Sequence, residues 1–490
     1  MTTKDILDKD GVRLPIKIDS TSNGEYEPIP ISKRNREGNK LALEWATKNA
    51  KSKGQTRREF LVSSCGAAST LLAINHANAY YGSTGGFFDV TTESALETDS
   101  ANAQVGGGGE FIFDVQGHYV NPEGDWLSRI PPDARPYAGM QKARCAAGGE
   151  GDRGYLDCLS ESEFIKDIFL DSDTDIMVLS FVPSTHETEP VTIEDADRTR
   201  EIVAELDGSK RLMIHGRVNP NQDGDLEAMD ELAENWNISA FKTYTQYGPG
   251  GIGYFLHDDA GIAMIERAKK LGVKNICIHK GLPFGPRSYE HSQSSDIGVV
   301  AKMFPEMNFL IYHSSYVSTN EEVEFVAGAG RDGIDTLIQS LVDNDVSPNS
   351  NVYAELGSTW RLLMQKPDDA AHALGKLLKY CGEDNVLWGT DSIWYGSPQD
   401  QIQAFRTFQI SNEYQERFGY PAITQRVREK IFGKNAAVPY GIDQREIQRL
   451  TASDFVSQEK LAYQENPQPN FLTYGPKTKR EFLNLLKWGG

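Results

Sequence analysis

Short apolar runs alternate with amphipathic segments through residues 110–443. Eight runs have the length and near-continuous apolar character of buried parallel strands, and an amphipathic helical pattern follows each of them. The runs are 111–115, 175–182, 211–218, 238–244, 275–279, 308–313, 351–356 and 385–391. This alternation predicts an α/β fold, a (β/α)8 barrel over 110–443, because a closed barrel leaves no sheet edge exposed. An open doubly wound sheet is the alternative.

The chain outside these repeats lacks sustained periodicity. Residues 1–55 are polar and charged, which predicts a disordered leader. Residues 80–109, rich in Gly, Ser and Thr, predict a flexible lead. The long connection 119–160 predicts a functional loop or lid. Residues 444–490 predict a C-terminal extension that packs on the barrel or forms a homo-oligomer contact.

Residues 56–79 have the order of a signal peptide. Arg57 and Arg58 precede a mildly apolar stretch, and Ala77-Asn78-Ala79 offers a cleavage site. The arginine pair indicates the twin-arginine export machinery as a partner, and hence a periplasmic or secreted protein. An ordinary helix that contains two arginines is the alternative. The apolar stretch is too short, and too rich in Ser and Gly, for a stable membrane span.

Amino-acid composition limits the classes of partner and metal site that can be expected. Asp plus Glu total 70 against 50 Lys plus Arg, a formal charge of −20, which argues against nucleic acid because phosphate binding needs concentrated positive charge. No CxxC pair is present, so a cysteine zinc knuckle is not expected. Cys145 and Cys158 flank a Gly-rich loop and could form a disulfide in an exported protein.

Ligand-type side chains lie at the carboxyl ends of the predicted strands, the rim on which a (β/α)8 enzyme collects its chemistry. Imidazoles and carboxylates are ligands for zinc, iron or manganese. The sequence therefore predicts a mononuclear metal site. The residues are Asp114, Gln116, His118, His279, His313 and Asp391.

These motifs, in this order, resemble those of the amidohydrolase-related family, the metal-dependent branch that contains aminocarboxymuconate-semialdehyde decarboxylase. The resemblance covers about 111–442, including the closing motif IFGKNAAVPYGI. It implies metal ligands at Gln116, His118, His279 and Asp391. It also implies that Asp391 serves as a base and that His313 acts as an acid/base or polarises the substrate.

Gln116 departs from the family, which most often has His at this position and in some decarboxylases Glu. A neutral amide is a weaker ligand, so three outcomes stay open: a harder metal, a weakly held metal, or no metal. Zinc is the first expectation, with manganese or iron as alternatives.

Three further residues at strand ends are candidate substrate contacts. Lys242 and Arg217 could hold a carboxylate, and Tyr244 could line the pocket, although each could equally be structural. The expected function is hydrolysis of a C–O or C–N bond in a small organic molecule, one expected to carry a carboxylate, by metal-activated water. The alternatives are non-oxidative decarboxylation at the same site, a metal-free lactonase, or a non-catalytic barrel.

Overall fold

The computed structural model describes residues 8–107, 109–129, 156–205, 211–283 and 288–486. Its strands are β1 Gly86–Phe88, β2 Phe113–Gly117, β3 Ile176–Leu179, β4 Leu212–Ile214, β5 Gly216–Arg217, β6 Phe241–Tyr244, β7 Asn275–His279, β8 Asn308–Tyr312, β9 Val352–Glu355, β10 Val386–Leu387 and β11 Phe408–Ile410. All eight predicted strands are present, and the third is divided at His215 into β4 and β5.

The strands β2 to β10 form a closed parallel barrel. β2, β3 and β4 pair in one sheet, and β5 to β10 pair in sequence order in the other. The ring closes between the first and eighth repeats, where Gly117 pairs with Ser392 and the Asp391 amide donates to the Gln116 carbonyl at 2.9 Å. The predicted (β/α)8 barrel is confirmed. β1 and β11 form a separate antiparallel pair outside it.

The α-helices fall into three groups. Those before the barrel are α1 Lys33–Lys53, α2 Arg57–Val62, α3 Ser64–Tyr80 and α4 Thr98–Val105. Those within the barrel repeats are α5 Trp126–Arg129, α6 Glu161–Ile165, α7 Ile193–Glu205, α8 Asp225–Asn235, α9 Asp259–Leu271, α10 Ile297–Met303, α11 Ile334–Asp343, α12 Thr359–Leu363, α13 Pro367–Tyr380 and α14 Gln399–Thr407. Those after it are α15 Asn412–Phe418, α16 Gln425–Glu429, α17 Asn435–Ala437, α18 Gln444–Thr451, α19 Phe455–Gln464 and α20 Lys479–Leu486.

The expected disorder of residues 1–55 is wrong for the described part of this segment, residues 8–55. Residues 11–31, here called the N-terminal arm, cross the mouth of the barrel, and α1 follows directly. The arm is held by buried ion pairs. Lys17 Nζ lies 3.4 Å from Asp400, and Arg361, which is fully buried, lies 2.8 Å from Asp19. Ion pairs with residues far along the chain therefore order a segment whose sequence has no helical or strand periodicity.

The twin-arginine segment is folded into the body of the protein. Thr56 and Glu59 form a capping box at the start of α2, and Arg58 is 7% exposed. Eleven of the 17 residues of α3 are buried, and most of the apolar ones belong to the largest apolar cluster of the described residues. Export by the twin-arginine route stays a prediction, and cleavage after Ala79 would remove a core helix.

Residues 80–107 are ordered as well, because they contain β1 and α4. This corrects the expected flexible lead. Residues 444–486 form three helices, and the polypeptide after α19 returns to the arm, where the Ser22 amide donates to the Pro476 carbonyl at 2.8 Å. Cys158 is disulfide-bonded, and its predicted partner Cys145, like most of the loop 119–160, lies outside the described residues. Among the helices of the described residues, none has the length and apolarity needed to cross a membrane.

We predict that α3 contributes to the stability of the barrel as a core helix does. Leu71 is fully buried, so Leu71→Ala should lower the free energy of unfolding by about 2–5 kcal/mol. Tyr80→Ala, at a residue 82% exposed at the end of the same helix, should have little effect. Chemical unfolding of both variants measures this. Equal stability of the two would show that residues 56–79 are a detachable leader.

Candidate active site

Asp114 joins the first and eighth strand ends. Its Oδ1 accepts hydrogen bonds of 3.1 Å from the amides of both Gln116 and Thr390, and its Oδ2 accepts from the Thr390 hydroxyl. Burial raises the pKa of Asp114 to about 7, against these hydrogen bonds. The carboxyl group thereby fixes the position of Gln116 relative to Asp391.

The predicted ligands from these two strands lie together. Gln116 Nε2 donates to Asp391 Oδ1 at 3.1 Å, and His118 Nε2 lies 3.1 Å from the same oxygen. Burial alone would raise the pKa of Asp391, but the hydrogen bond and charge of His118 hold it well below its usual value. Gln116 Oε1 is buried without a hydrogen-bond partner among the described residues. A Cβ on Gly357 would lie 2.2 Å from that oxygen, so the site requires glycine there.

His279 and His313 form the other half of the site. Their rings meet edge to face with centroids 4.6 Å apart, and Tyr244 stacks on His279 at 5.0 Å. Burial lowers the pKa of His313 to about 4 and that of His279 well below its usual value. Both imidazoles are therefore neutral near pH 7, which is the state that binds metals.

Lys242 lies beneath these rings. It is fully buried, its Nζ has no hydrogen-bond partner among the described residues, and it lies 3.6 Å from the centroid of the Tyr312 ring. Burial lowers the pKa of Lys242 to about 8. A weakly held cation at this position can stabilise negative charge on a bound molecule.

The N-terminal arm inserts a turn between the two halves of the site. Asn23 Nδ2 donates to Asp391 Oδ2 at 2.6 Å and to Glu25 Oε2 at 2.5 Å. Glu25 Oε1 lies 3.1 Å from His279 Nδ1, and its Oε2 lies 3.4 Å from His313 Nε2. Burial raises the pKa of Glu25 to about 6, with His313 opposing the rise. The arm therefore contributes a carboxylate to the centre of the barrel mouth.

Arg217, a predicted substrate contact, has two carboxylate partners within the protein. Its guanidinium lies 2.5 Å from Glu189 and 2.8 Å from Asp225, and those two carboxylates offset its charge within the protein. These contacts fit the structural alternative, and the contact of Arg217 with substrate stays a prediction. Tyr244, whose hydroxyl donates to the Phe181 carbonyl at 2.6 Å, lines the site beside His279.

The donors at the mouth suit a divalent metal. His313 Nδ1 lies 2.6 Å from the Gly357 carbonyl, so the ring proton belongs on Nδ1 and the lone pair of Nε2 faces the Glu25 carboxylate. That buried Nε2 has no hydrogen-bond partner among the described residues. Imidazole and carboxylate donors match zinc or manganese. The ligand set itself, Gln116, His118, His279 and Asp391, stays a prediction.

A family model described as amidohydrolase matches residues 166–442. The chain belongs to the amidohydrolase family. No curated protein matches this amidohydrolase in sequence.

Solved structures of low identity resemble it. A 2,6-dihydroxybenzoate decarboxylase from Rhizobium is 13% identical, with a TM-score of 0.39, over 68% of this chain and 99% of its own. A 5-carboxyvanillate decarboxylase from Novosphingobium aromaticivorans with bound manganese is 12% identical, with a TM-score of 0.43, over 68% and 98%. An uncharacterised TIM-barrel protein from Bordetella bronchiseptica is 15% identical, with a TM-score of 0.40, over 70% and 99%.

Sequence reasoning missed Asn23, Glu25 and Ser358. Ser358 donates to Asp391 Oδ2 at 2.5 Å and follows β9, so its place after a strand could have identified it. Asn23 and Glu25 lie about 90 residues before the first barrel strand, in a polar segment with no periodic signal. The residues Asn23-Gly24 predict a turn. They do not indicate where in the fold that turn lies.

We predict that Asp114→Ala destabilises this amidohydrolase by at least about 2 kcal/mol, because it leaves two buried amide donors without acceptors. Thr390→Val is the matched control, since it removes the hydroxyl donor and keeps the backbone bond. Chemical unfolding should show the smaller loss for the valine variant. An equal loss in both would mean that the backbone contacts of Asp114 contribute nothing.

Proposed function

We propose that this amidohydrolase is a metal-dependent, non-oxidative decarboxylase of a small organic acid. The observation that carries the proposal is the full engagement of Asp391. Its Oδ1 faces Gln116 and His118, and its Oδ2 accepts from Asn23 and Ser358. Hydrolysis requires a base that takes a proton from water. A carboxylate whose two oxygens both have hydrogen-bonding partners is a poor base for that step.

Decarboxylation makes smaller demands on this site. The bond between the carboxyl carbon and the rest of the substrate breaks, carbon dioxide leaves, and the electron pair on the substrate carbon takes up a proton that comes from solvent. A divalent metal bound here would polarise a substrate oxygen. The Lys242 ammonium would stabilise the negative charge that grows on the substrate as carbon dioxide leaves. The substrate is therefore expected to place an oxygen group in conjugation with the carbon that loses the carboxylate.

Burial of the site supports the same chemistry. Gln116, His279 and His313 are fully buried, and His118 and Asp391 are 2% and 1% exposed. Exclusion of water strengthens each charge interaction with the reacting molecule. Hydrolysis is the function expected from the sequence, and on Asp391's side of the site it would need a base such as the His118 imidazole.

Product analysis tests the proposal. The metal-loaded protein should release carbon dioxide from a panel of aromatic and enolic carboxylates, and a chelator should abolish the release. Opening of lactones, esters or amides from a parallel panel, without carbon dioxide, would establish hydrolysis instead. Binding without turnover in the wild type would indicate a non-catalytic barrel.

The pH dependence tests Lys242 separately. Because its pKa is about 8, kcat/KM should fall as the pH rises through about 8 and the ammonium loses its proton. Lys242→Arg keeps the charge to much higher pH, so the residual activity of that variant should lack this alkaline limb. An alkaline limb at the same pH in the arginine variant would assign it to another group.

Export stays a proposal of its own. If the protein is carried by the twin-arginine machinery, Arg57 and Arg58 must be reached before α2 and α3 pack. Fractionation of cells that express the full chain, compared with an Arg57→Lys, Arg58→Lys double variant, should place only the wild type in the periplasm. An unchanged distribution would remove the twin-arginine route.

A further inference from the structure

The tip of the N-terminal arm is a rigid turn aimed into the barrel. The Glu25 amide donates to Asn23 Oδ1 at 2.8 Å, and the Gly24 amide donates to Ser22 Oγ at 2.9 Å. Gly24 has a φ of 96°, a conformation open to glycine and costly for other residues. This local geometry fixes the direction of the Glu25 side chain, which retains only 13% of its exposure.

Contacts on either side of the tip prevent the arm from shifting. Lys17 Nζ donates to the carbonyls of Tyr395 and Ser397 at 2.7 and 2.6 Å. Tyr26 lies beyond the tip, with its hydroxyl 3.0 Å from that of Tyr395. Because these partners belong to the loop after β10, the arm and the eighth strand end are one unit. These contacts fix the position of Glu25 relative to the eighth strand end.

The contact between Glu25 and His313 favours a positive charge between the two groups. His313 has its proton on Nδ1, toward Gly357, so a lone pair on Nε2 faces a carboxylate oxygen at 3.4 Å. Two electron pairs that face each other repel, and a compensating cation stabilises a buried anion.

The distances suit a metal ion at this position. Two ligands that each lie about 2.0–2.2 Å from one ion are about 3.0–3.5 Å apart. Glu25 Oε1 is 3.1 Å from His279 Nδ1, and Glu25 Oε2 is 3.4 Å from His313 Nε2. All three residues offer ligand atoms within 4.8 Å of one another.

Gln116 supplies the reason for an additional anionic ligand. At the end of the first barrel strand this chain has a neutral amide, and its Nε2 is engaged with Asp391. The first strand thus provides one weak ligand instead of a strong one. A carboxylate from elsewhere in the chain can restore the lost ligand charge.

We propose that Glu25, from outside the barrel, is a metal ligand, and that it holds a divalent cation together with His279 and His313. This deepens the proposed function, on which it rests for the use of that metal. His313 is then a ligand in place of its expected acid/base role, and the proposed set shares only His279 with the predicted one. Asn23, which bonds to both Glu25 and Asp391, links the metal ligands to the first and eighth strand ends.

Metal titration of the full chain tests this without any substrate. Metal-free wild type and Glu25→Gln, which has the same shape without the charge, are titrated with Co²⁺ and Zn²⁺. Bound metal is counted by mass spectrometry, and the visible spectrum of Co²⁺ reports its ligands. We expect one ion in the wild type. We expect the glutamine variant to bind more than about 100-fold more weakly, a larger loss than removal of an outer partner causes, with a changed Co²⁺ spectrum.

Glu27→Gln is the matched control. Glu27 lies two residues along the arm and bonds to Lys479 at 3.0 Å, with its side chain 52% exposed. Its substitution should leave affinity and spectrum as in the wild type. Glu25→Asp, which keeps the charge on a shorter side chain, should bind with intermediate affinity. This variant keeps the test decisive if the glutamine protein does not fold.

Three results would overturn the proposal. They are a wild type that binds no metal, a Glu25→Gln protein with wild-type affinity and spectrum, and one that binds metal more tightly and turns over faster. The last would show that the arm blocks the site, with the Glu25 carboxylate in the place of an acidic substrate. If metal binding depends on Glu25 but no carbon dioxide is released, the proposed metal ligand is supported and the proposed reaction is wrong.

Discussion

Buried negative charge at the barrel mouth is the constraint on which this structure depends. Glu25, Asp114, Glu355 and Asp391 converge there with little or no exposure, and Lys242 is the fixed cation among them. Isolated buried carboxylates are costly, so each must find donors, protons or a metal. Asp114 and Glu355 are satisfied by backbone amides, the latter from His313 at 2.9 Å and Gly357 at 2.5 Å, and burial raises the pKa of Glu355 to about 8. Glu25 and Asp391 face imidazoles instead.

The carboxyl groups at the barrel mouth are therefore of two kinds. The carboxyls that receive backbone amides fix the strand ends relative to one another, and they need no ion. Glu25, which faces His279 and His313, accepts a hydrogen bond from Asn23, and its remaining charge is what a cation would compensate. The proposed metal site is therefore the part of the rim where the protein's hydrogen-bond donors do not balance the carboxylate charge. The same reasoning explains why Asn23 is placed between Glu25 and Asp391, since one amide nitrogen offsets part of the charge of both.

The barrel and much of its rim could be predicted from the sequence, because their signals are local. Buried parallel strands appear as apolar runs, and His118, His279, His313 and Asp391 each follow one directly. The arm could not be placed, because its order comes from partners some 340 to 380 residues away, such as Arg361 for Asp19 and Asp400 for Lys17. The α1 helix did carry a signal. Gly38, Ala42, Ala46 and Ala50 recur at intervals of four and form its buried face, a narrow stripe of small residues that polar neighbours obscured.

The segment read as a signal peptide shows why composition alone was ambiguous. A short, mildly apolar helix with small residues suits export, and it equally suits close helix packing. In α3 the small residues allow α1 to approach, and a Cβ on Gly38 would lie 3.5 Å from that of Ala77. Because α1 follows the arm directly, packing of α3 against α1 helps to fix the position of the arm and of Glu25. Loss of α3 would therefore affect the chemistry at the barrel mouth as well as stability, which makes these N-terminal residues part of the functional domain.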